Sequence, residues 1–164
     1  MKIKFKAFLD SVSRANSLDG ETGWRFYCGM LFGSLEKWWD DFGTRMTVHE
    51  GMDILFHTSL SGKTDCLTAG ARIPAMEGGT VVNICRDLIG QTIVVQSDIN
   101  TRKLSRVVLV YSHLKLKKGI RPGKRIAAGD IIARIGTTSH KKANIAPHLH
   151  LSCIEIPGTY MPED

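Results

Sequence analysis

The sequence lacks any long apolar run. Its apolar stretches, such as Val107–Tyr111, are far shorter than the roughly 20 residues that a membrane-spanning helix requires, so we expect no integral membrane segment. The basic N-terminal stretch, residues 1–20, also contains no continuous apolar segment of signal-peptide length. Two options therefore stay open: the protein remains inside the cell, or an export segment lies outside this chain.

Cysteines are few and widely spaced. None of the four lies at C-x-x-C spacing, which argues against a cysteine-based zinc site. Cys85 and Cys153 lie in apolar, strand-like runs, and we expect buried free thiols there. A disulfide stays open, because spacing alone does not show which thiols meet.

The composition is that of an ordinary globular protein. The chain has 164 residues, of which 43% are hydrophobic and 23% charged, enough for one domain with a hydrophobic core and a small appendage. The net charge of +6 favours anionic partners in general. Because the basic residues are spread along the chain, we predict a solvated basic surface and no nucleic-acid partner.

The first 45 residues are predicted to form a helical and aromatic extension. Apolar positions within Ile3–Arg14 recur with helical spacing, and residues 17–23 indicate a turn. The stretch Trp24–Phe42 is rich in aromatic residues, and Ser34 can cap a short helix that runs to Phe42. We expect the aromatic set to pack in the core or as a lid, or to form one wall of a groove.

From about Met52 onward, short β-branched runs alternate with Gly, Pro, Asn and Asp. Six runs predict strands: MDILF, TVVNIC, QTIVVQS, RVVLVYSHL, IIARI and LHLSCIEI. Strands this closely spaced are typical of an antiparallel sheet, sandwich or barrel, and argue against a doubly wound parallel sheet. We predict a mainly β (α+β) fold with one or two N-terminal helices, divided into an extension over residues 1–45 and a domain over residues 46–164.

Three short segments concentrate the histidines. His148 and His150 belong to an apolar, strand-like run, so their side chains should project from one face. His49 and Asp53 are four residues apart and share a side in either a helix or a strand. Two imidazoles and a carboxylate suit a zinc ion that keeps one position for water. His49, Asp53 and one of the His148/His150 pair would meet that count.

Two other interpretations of these residues are weaker. His49-Glu50 resembles the start of the H-E-x-x-H motif, but the fifth residue is Asp53 and Gly51 weakens the helix that the motif requires. His57 and His140 are isolated. We expect them at the surface or beside the ligands rather than on the metal.

In their order along the chain, three motifs resemble the lysostaphin/LytM-type zinc endopeptidases. They are His-x-Gly-x-Asp at residues 49–53, Tyr-x-His-Leu at 111–114 and Pro-His-Leu-His at 147–150. The glycine-punctuated segments 73–81 and 119–136 also resemble the family. The likeness extends over about residues 46–156. Residues 1–45 and the loop 137–146 depart from it.

The resemblance implies a single zinc ion held by His49, Asp53 and His150, with His113 and His148 as active-site histidines that do not bind the metal. It implies an antiparallel β core of the lysostaphin-like (duplicated hybrid motif) type with a groove across it. The implied activity is hydrolysis of peptide bonds in bacterial peptidoglycan, in the cell envelope. Further side chains expected beside the ligands or in the groove are Tyr111, His57 and His140.

Two alternatives accompany this prediction. One is a non-catalytic or autoinhibited peptidoglycan-binding module of the same fold, in which residues 1–45 block the groove. The other is a lipoyl or biotinyl carrier, because residues 121–133 resemble the hairpin of those domains. The carrier tripeptides Met-Lys-Met and Asp-Lys-Ala do not occur in the sequence, so we interpret that likeness as shared hairpin architecture. The sequence assigns no oligomeric state.

Overall fold

The computed structural model describes residues 4–18, 23–99, 105–138 and 144–158. Over these residues the chain forms one α-helix, α1 (Phe5–Ala15), a single 3-10 turn at Cys28–Met30, and eleven strands. The strands are β1 (Gly23–Trp24), β2 (Met52–Ile54), β3 (Phe56–Thr58), β4 (Thr64–Cys66), β5 (Arg72–Pro74), β6 (Gly79–Arg86), β7 (Gln91–Ser97), β8 (Ser105–Leu116), β9 (Arg125–Ile126), β10 (Ile131–Ile135) and β11 (Leu149–Pro157).

Eight strands form one antiparallel sheet. Six of them follow the order β2-β11-β8-β7-β6-β9, while β10 pairs with both β5 and β8. The long strand β8 is central: its residues 105–112 pair with β11, and its last residues, 114–116, pair with β10. All six runs predicted as strands contain strands. The mainly β, antiparallel fold predicted from the sequence is therefore confirmed.

Helix α1 packs one apolar stripe against the sheet. Phe8, Leu9 and Val12 are its buried residues, and the i, i+4 spacing of Phe8 and Val12 keeps them on one face. Beyond the helix, the Asn16 side chain accepts the backbone N–H of Arg72 at 2.7 Å and donates to the carbonyl of Arg72 at 2.9 Å, which ties the helix end to β5. Over the described ranges, no helix is long and apolar enough to cross a membrane.

The N-terminal segment shares both a sheet and a core with the rest of the chain. In the three-stranded sheet β1-β3-β4, Gly23 pairs with Thr58 and Trp24 with His57. One cluster of buried apolar side chains contains residues from both sides of residue 45. It includes Phe8, Leu9, Val12, Met30 and Trp38 before that residue, and Ile54, Leu109, Tyr111 and Leu149 after it.

The short helix predicted from Ser34 to Phe42 is wrong. The Ser34 hydroxyl does accept the backbone N–H of Glu36, at 3.1 Å, but the chain then folds back on itself. Lys37 donates its N–H to the carbonyl of Gly43 at 2.8 Å, and Phe42 has a φ of 52°, which ends any right-handed helix. Non-local hydrogen bonds thus override the local capping pattern.

The prediction of buried thiols at Cys85 and Cys153 is also wrong. Both residues are exposed, and all four cysteines are free. Strand β2 pairs with β11 only from Leu149 to Leu151, and β11 becomes exposed from Cys153 onward. Cys85 lies near the exposed end of β6. The apolar composition of these runs therefore predicts burial correctly for only part of each strand.

Candidate metal centre

Three of the predicted residues meet where β2 pairs with β11. The register sets Asp53 directly opposite His150. His49 precedes β2 and is fixed through its backbone, which donates to the carbonyl of Ser34 at 2.9 Å and accepts from the N–H of Gly33 at 2.8 Å. His49, Asp53 and His150 are all buried, and each offers a ligand atom within 4.8 Å of the other two.

The three ligand atoms are closer to one another than that limit. His49 Nε2 lies 3.0 Å from His150 Nδ1 and 3.2 Å from Asp53 Oδ1. His150 Nδ1 lies 2.9 Å from the same Asp53 oxygen. Two imidazole nitrogens and one carboxylate oxygen therefore point at a common centre.

On its far side, each imidazole has a hydrogen-bond partner for its second ring nitrogen. His49 Nδ1 lies 3.1 Å from the carbonyl of Leu31, and since a carbonyl only accepts, that nitrogen carries the proton. His150 Nε2 lies 3.1 Å from the Ser152 hydroxyl, which can accept a proton from it. Each ring can therefore keep a proton on its far nitrogen and release one from the nitrogen that faces Asp53, so that lone pairs of His49, His150 and Asp53 converge when a cation binds.

The carboxylate of Asp53 is ionised. Burial by itself raises the pKa of this group, but hydrogen bonds with His150 and His49 hold the pKa well below its usual range. Its second oxygen, Oδ2, faces away from the two imidazoles and accepts the indole N–H of Trp38 at 2.6 Å. The guanidinium of Arg45 lies 3.7 Å from the same oxygen.

His148 packs beside His49, Asp53 and His150, but its hydrogen-bond partner is a backbone carbonyl. Its Nδ1 donates to the carbonyl of Ala146 at 2.8 Å, which leaves Nε2 facing Asp53 Oδ1 at 3.6 Å. Burial lowers the pKa of His148 to about 4, although the nearby Asp53 charge opposes that shift. The imidazole is therefore neutral at neutral pH, with a free lone pair on Nε2.

His113 is aimed at the site by an irregularity in β8. Between the Gln91–Leu114 and Ile93–Tyr111 pairs, β8 has one residue more than β7, and His113 adopts a φ of 69°. A bulge of this kind re-aims a side chain. The His113 ring lies 4.8 Å from the His148 ring and 5.8 Å from the His150 ring, measured between centroids.

A carboxylate and a glycine hold the bulge. Asp87 Oδ2 accepts the His113 backbone N–H at 2.8 Å, and Asp87 Oδ1 lies 3.2 Å from His113 Nδ1. Burial by itself raises the pKa of Asp87, but these bonds to His113 hold it well below its usual range. On the other side, Gly136 donates its N–H to the His113 carbonyl at 2.8 Å, so the backbone is fixed at both ends.

The histidines open onto a cavity of about 360 Å³. Its lining residues come from both sides of residue 45: Trp39, Arg45, His49, Glu50, Asp53, Asp87, Leu88, Ile89, Ser112, His113, Ile145, His148 and His150. A second cavity, of about 380 Å³, lies at the end of α1 and includes no histidine among its described lining residues.

Tyr111 and His57, two further predicted residues, lie away from this cavity. Tyr111 is fully buried in the core, and its hydroxyl accepts the N–H of Met76 at 2.9 Å. His57 is buried on β3, edge-on to Trp24. Neither belongs to the described lining of the histidine cavity. His140 lies outside the described residues.

The sequence did not identify three side chains that hold the site. Trp38 belongs to the aromatic stretch Trp24–Phe42, for which the sequence predicted only core, lid or groove packing, and Arg45 follows that stretch without any predicted role. Asp87 lies 26 positions before its partner His113, too far for any local spacing pattern to connect them. The only available signal for Asp87 was an acidic residue in a short loop ahead of a glycine.

Comparison with known proteins agrees with the geometry. Residues 47–160 match the model of peptidase family M23. The fold is similar to LytU, with a TM-score of 0.53 and 22% identity over 87% of this chain and 79% of that one. It is also similar to lysostaphin, with a TM-score of 0.51 and 19% identity over 90% of this chain and 48% of that one.

A third similar structure is a putative glycyl-glycine endopeptidase LytM from Ruminococcus gnavus, with a TM-score of 0.50 and 16% identity over 85% of this chain and 51% of that one. This chain thus spans about half the length of the last two proteins. No curated protein matches the sequence at a significant level. Identities this low show the fold alone, but the family match extends over most of the chain and confirms the resemblance found in the motifs: the chain belongs to peptidase family M23.

Proposed function

We propose that this protein is a zinc metalloendopeptidase that hydrolyses peptide bonds in bacterial peptidoglycan. One observation carries the proposal: His49, Asp53 and His150 direct three ligand atoms to one centre at the wall of an open cavity. His113 and His148 stand beside that centre without belonging to it. Three protein ligands with an open position are the usual arrangement of a catalytic zinc site.

The spacing of the ligand atoms suits zinc. Zinc bonds to nitrogen and oxygen are about 2.0–2.2 Å long, and a tetrahedral arrangement then separates ligand atoms by about 3.3 Å. The three separations here are 3.0, 2.9 and 3.2 Å. Two imidazoles and one carboxylate are also a donor set that zinc accepts readily.

The two further histidines supply the proton chemistry. When bound, zinc provides Lewis acidity toward the scissile carbonyl and toward a water molecule. His148 is neutral, and its Nε2 can accept a proton from water. His113 has the Asp87 carboxylate to balance a positive charge on its ring, so it can hold a proton and stabilise negative charge developing on the substrate oxygen.

The substrate assignment rests on the family and on a neighbour of similar fold. Peptidoglycan peptides are the expected substrates of lysostaphin/LytM-type enzymes, and a neighbour of similar fold is described as a glycyl-glycine endopeptidase. Location in the cell envelope is part of the same proposal. We further propose that residues 46–164 form the peptidase domain and residues 1–45 an extension packed onto it.

The test is digestion of purified peptidoglycan by the full chain, with mass spectrometry of the released fragments. We expect peptide-bond cleavage that a chelator abolishes and added zinc restores. The His150→Ala variant should lose stoichiometric zinc binding and hydrolysis together. Zinc binding by the wild-type chain without any cleavage would overturn the enzyme assignment in favour of a non-catalytic or autoinhibited module.

A further inference from the structure

Trp38 contacts the metal centre from outside the part of the chain that matches the family. The match begins at residue 47, whereas Trp38 belongs to the preceding aromatic segment. Its side chain is 93% buried, since its relative exposure is 7%. The indole N–H donates to Asp53 Oδ2 at 2.6 Å. An indole is a donor only and carries no charge at any accessible pH, so this bond always has the same polarity.

This bond gives the two carboxylate oxygens of Asp53 different partners. Oδ1 lies near His49 and His150, and Oδ2 is occupied by Trp38. A carboxylate held in this way presents one oxygen to a cation and cannot rotate to present both. One-oxygen binding leaves a coordination position free, which a catalytic site needs for water.

Arg45 reinforces the same orientation. Its guanidinium lies 3.7 Å from Asp53 Oδ2. It is fixed by hydrogen bonds to the carbonyls of Glu36 and Gly29, at 3.0 and 2.5 Å, and by packing over the Trp39 ring at 4.6 Å. The positive charge is thus anchored to the N-terminal segment rather than free to move to Oδ1.

The Trp38 ring also supports the histidine beside the ligands. It meets His148 edge-on, with centroids 5.1 Å apart and ring planes at 88°. Phe56 packs against Trp38 at 6.0 Å and 82°. One side chain therefore contacts both a proposed ligand and a proposed proton acceptor, and is itself held by the core.

We propose that Trp38 is a positioning residue of the metal centre, which fixes Asp53 for one-oxygen coordination and is required for full metal affinity. This inference rests on the proposed zinc site. Hydrogen-bond partners of metal ligands typically contribute about 10- to 100-fold in metal affinity. We therefore expect Trp38→Phe, which keeps an aromatic ring but removes the N–H, to weaken zinc binding by about that factor.

The matched control is Trp24→Phe. Trp24 Nε1 is buried and has no hydrogen-bond partner among the described residues, so this variant makes the same chemical change away from the metal. Zinc affinity of the full-length variants is measured by competition with a chromophoric chelator, and thermal unfolding is followed on the metal-free proteins. Trp24→Phe should bind zinc like the wild type. If Trp38→Phe does so as well, the positioning role is overturned.

A second measurement uses the wild-type chain and therefore does not depend on whether a variant folds. The chain has three tryptophans, so a 15N-labelled sample gives three indole N–H signals. The signal of Trp38 should exchange slowly with solvent and shift when zinc is added, while the signal of Trp24 should not shift. A Trp38 signal unaffected by zinc that binds stoichiometrically would overturn the inference alone. A wild-type chain that binds no zinc would overturn both the inference and the proposed function.

Discussion

The carboxylate of Asp87 contacts both the backbone and the imidazole ring of His113. Oδ2 accepts the backbone N–H at 2.8 Å, and Oδ1 faces Nδ1 at 3.2 Å. Oδ1 also accepts the N–H groups of Ile89 and Gly90, and Oδ2 accepts the Thr92 hydroxyl. The carboxylate is thus immobile, and it dictates both the position of the bulge and the nitrogen of His113 that carries a proton.

Asp87→Asn should therefore reduce turnover while sparing the metal. The amide oxygen can still accept the backbone N–H of His113, but the amide nitrogen would then face His113 Nδ1 and the N–H groups of Ile89 and Gly90 as a further donor. The ring loses its charged partner and its fixed tautomer, so we expect kcat to fall by about 100-fold or more, with little change in KM. Steady-state cleavage of a defined peptidoglycan peptide measures both constants.

The matched control for this change is Asp98→Asn. Asp98 pairs with Arg125 on the surface, at 2.7 Å, and exposed ion pairs contribute little to stability. Its zinc affinity and kcat should equal those of the wild type. Normal kcat in Asp87→Asn would show that His113 needs no carboxylate partner, and equal losses in both variants would indicate a general effect of charge.

Asp87 should also make folding stability depend on pH. Its pKa in the folded protein lies well below its usual range, because the bonds to His113 outweigh the opposing effect of burial. In the unfolded chain the pKa is about 3.9. The stabilisation is therefore complete above that value and is lost as the pH falls toward the folded-state pKa, where the unfolded chain takes up the proton first.

Urea unfolding of the metal-free protein between about pH 6 and pH 3 checks this dependence. The free energy of unfolding of the wild type should fall more steeply with acid than that of Asp87→Asn. Parallel curves for the two proteins would mean that the carboxylate of Asp87 has the same pKa in the folded and unfolded states.

The sequence predicts the proposed ligands because two short-range spacings present them. The H-x-H alternation keeps His148 and His150 together, and the four-residue spacing of His49 and Asp53 brings them within 3.2 Å of each other. Pairing of β2 with β11 then sets His150 opposite Asp53, 97 positions away along the chain. Only the resemblance to a family selected His150 over His148 as ligand. The distances are consistent with that selection, since His148 Nε2 lies 3.6 Å from Asp53 Oδ1 whereas His150 Nδ1 lies 2.9 Å from it.

The partners of the ligands could not be predicted in the same way. Trp38 reaches Asp53 only because the segment predicted as a second helix folds back, with the N–H of Arg45 bonded to the carbonyl of Leu35 at 2.7 Å. His113 points into the site only because one strand carries an extra residue. Contacts between distant segments decide both features, and neither periodicity nor capping residues report on such contacts.

Replacement of His113 should separate chemistry from metal binding. His113 has a positive φ of 69°, and asparagine tolerates that conformation better than alanine. His113→Asn should therefore keep the bulge and bind one zinc ion, because His113 is not among the three converging residues. We expect hydrolysis to fall by about 100-fold or more through loss of proton transfer. Full activity in this variant would remove His113 from the mechanism.

Substitution of Gly51 should disrupt the site, because Gly51 packs directly against β11. A Cβ there would lie 2.6 Å from Ser152 Oγ, 2.7 Å from His150 Nε2 and 2.7 Å from the carbonyl oxygen of Leu151. These contacts are too short to persist, so either the strand β11 or the His150 ring must move. Gly51→Ala should therefore lower the free energy of unfolding by about 1–3 kcal/mol and weaken zinc binding at least about 10-fold.

The matched control for Gly51 is Gly23→Ala in β1. A Cβ at Gly23 would meet only Thr58, at an ordinary 3.9 Å. The free energy of unfolding of this variant, measured in urea, and its zinc affinity, measured by competition, should both be close to those of the wild type. If Gly51→Ala binds zinc as tightly as Gly23→Ala, then β11 can shift without moving His150, and the glycine of the His-x-Gly-x-Asp motif serves packing alone. A loss of affinity confined to Gly51→Ala would instead show that this glycine sets the distance between β2 and His150.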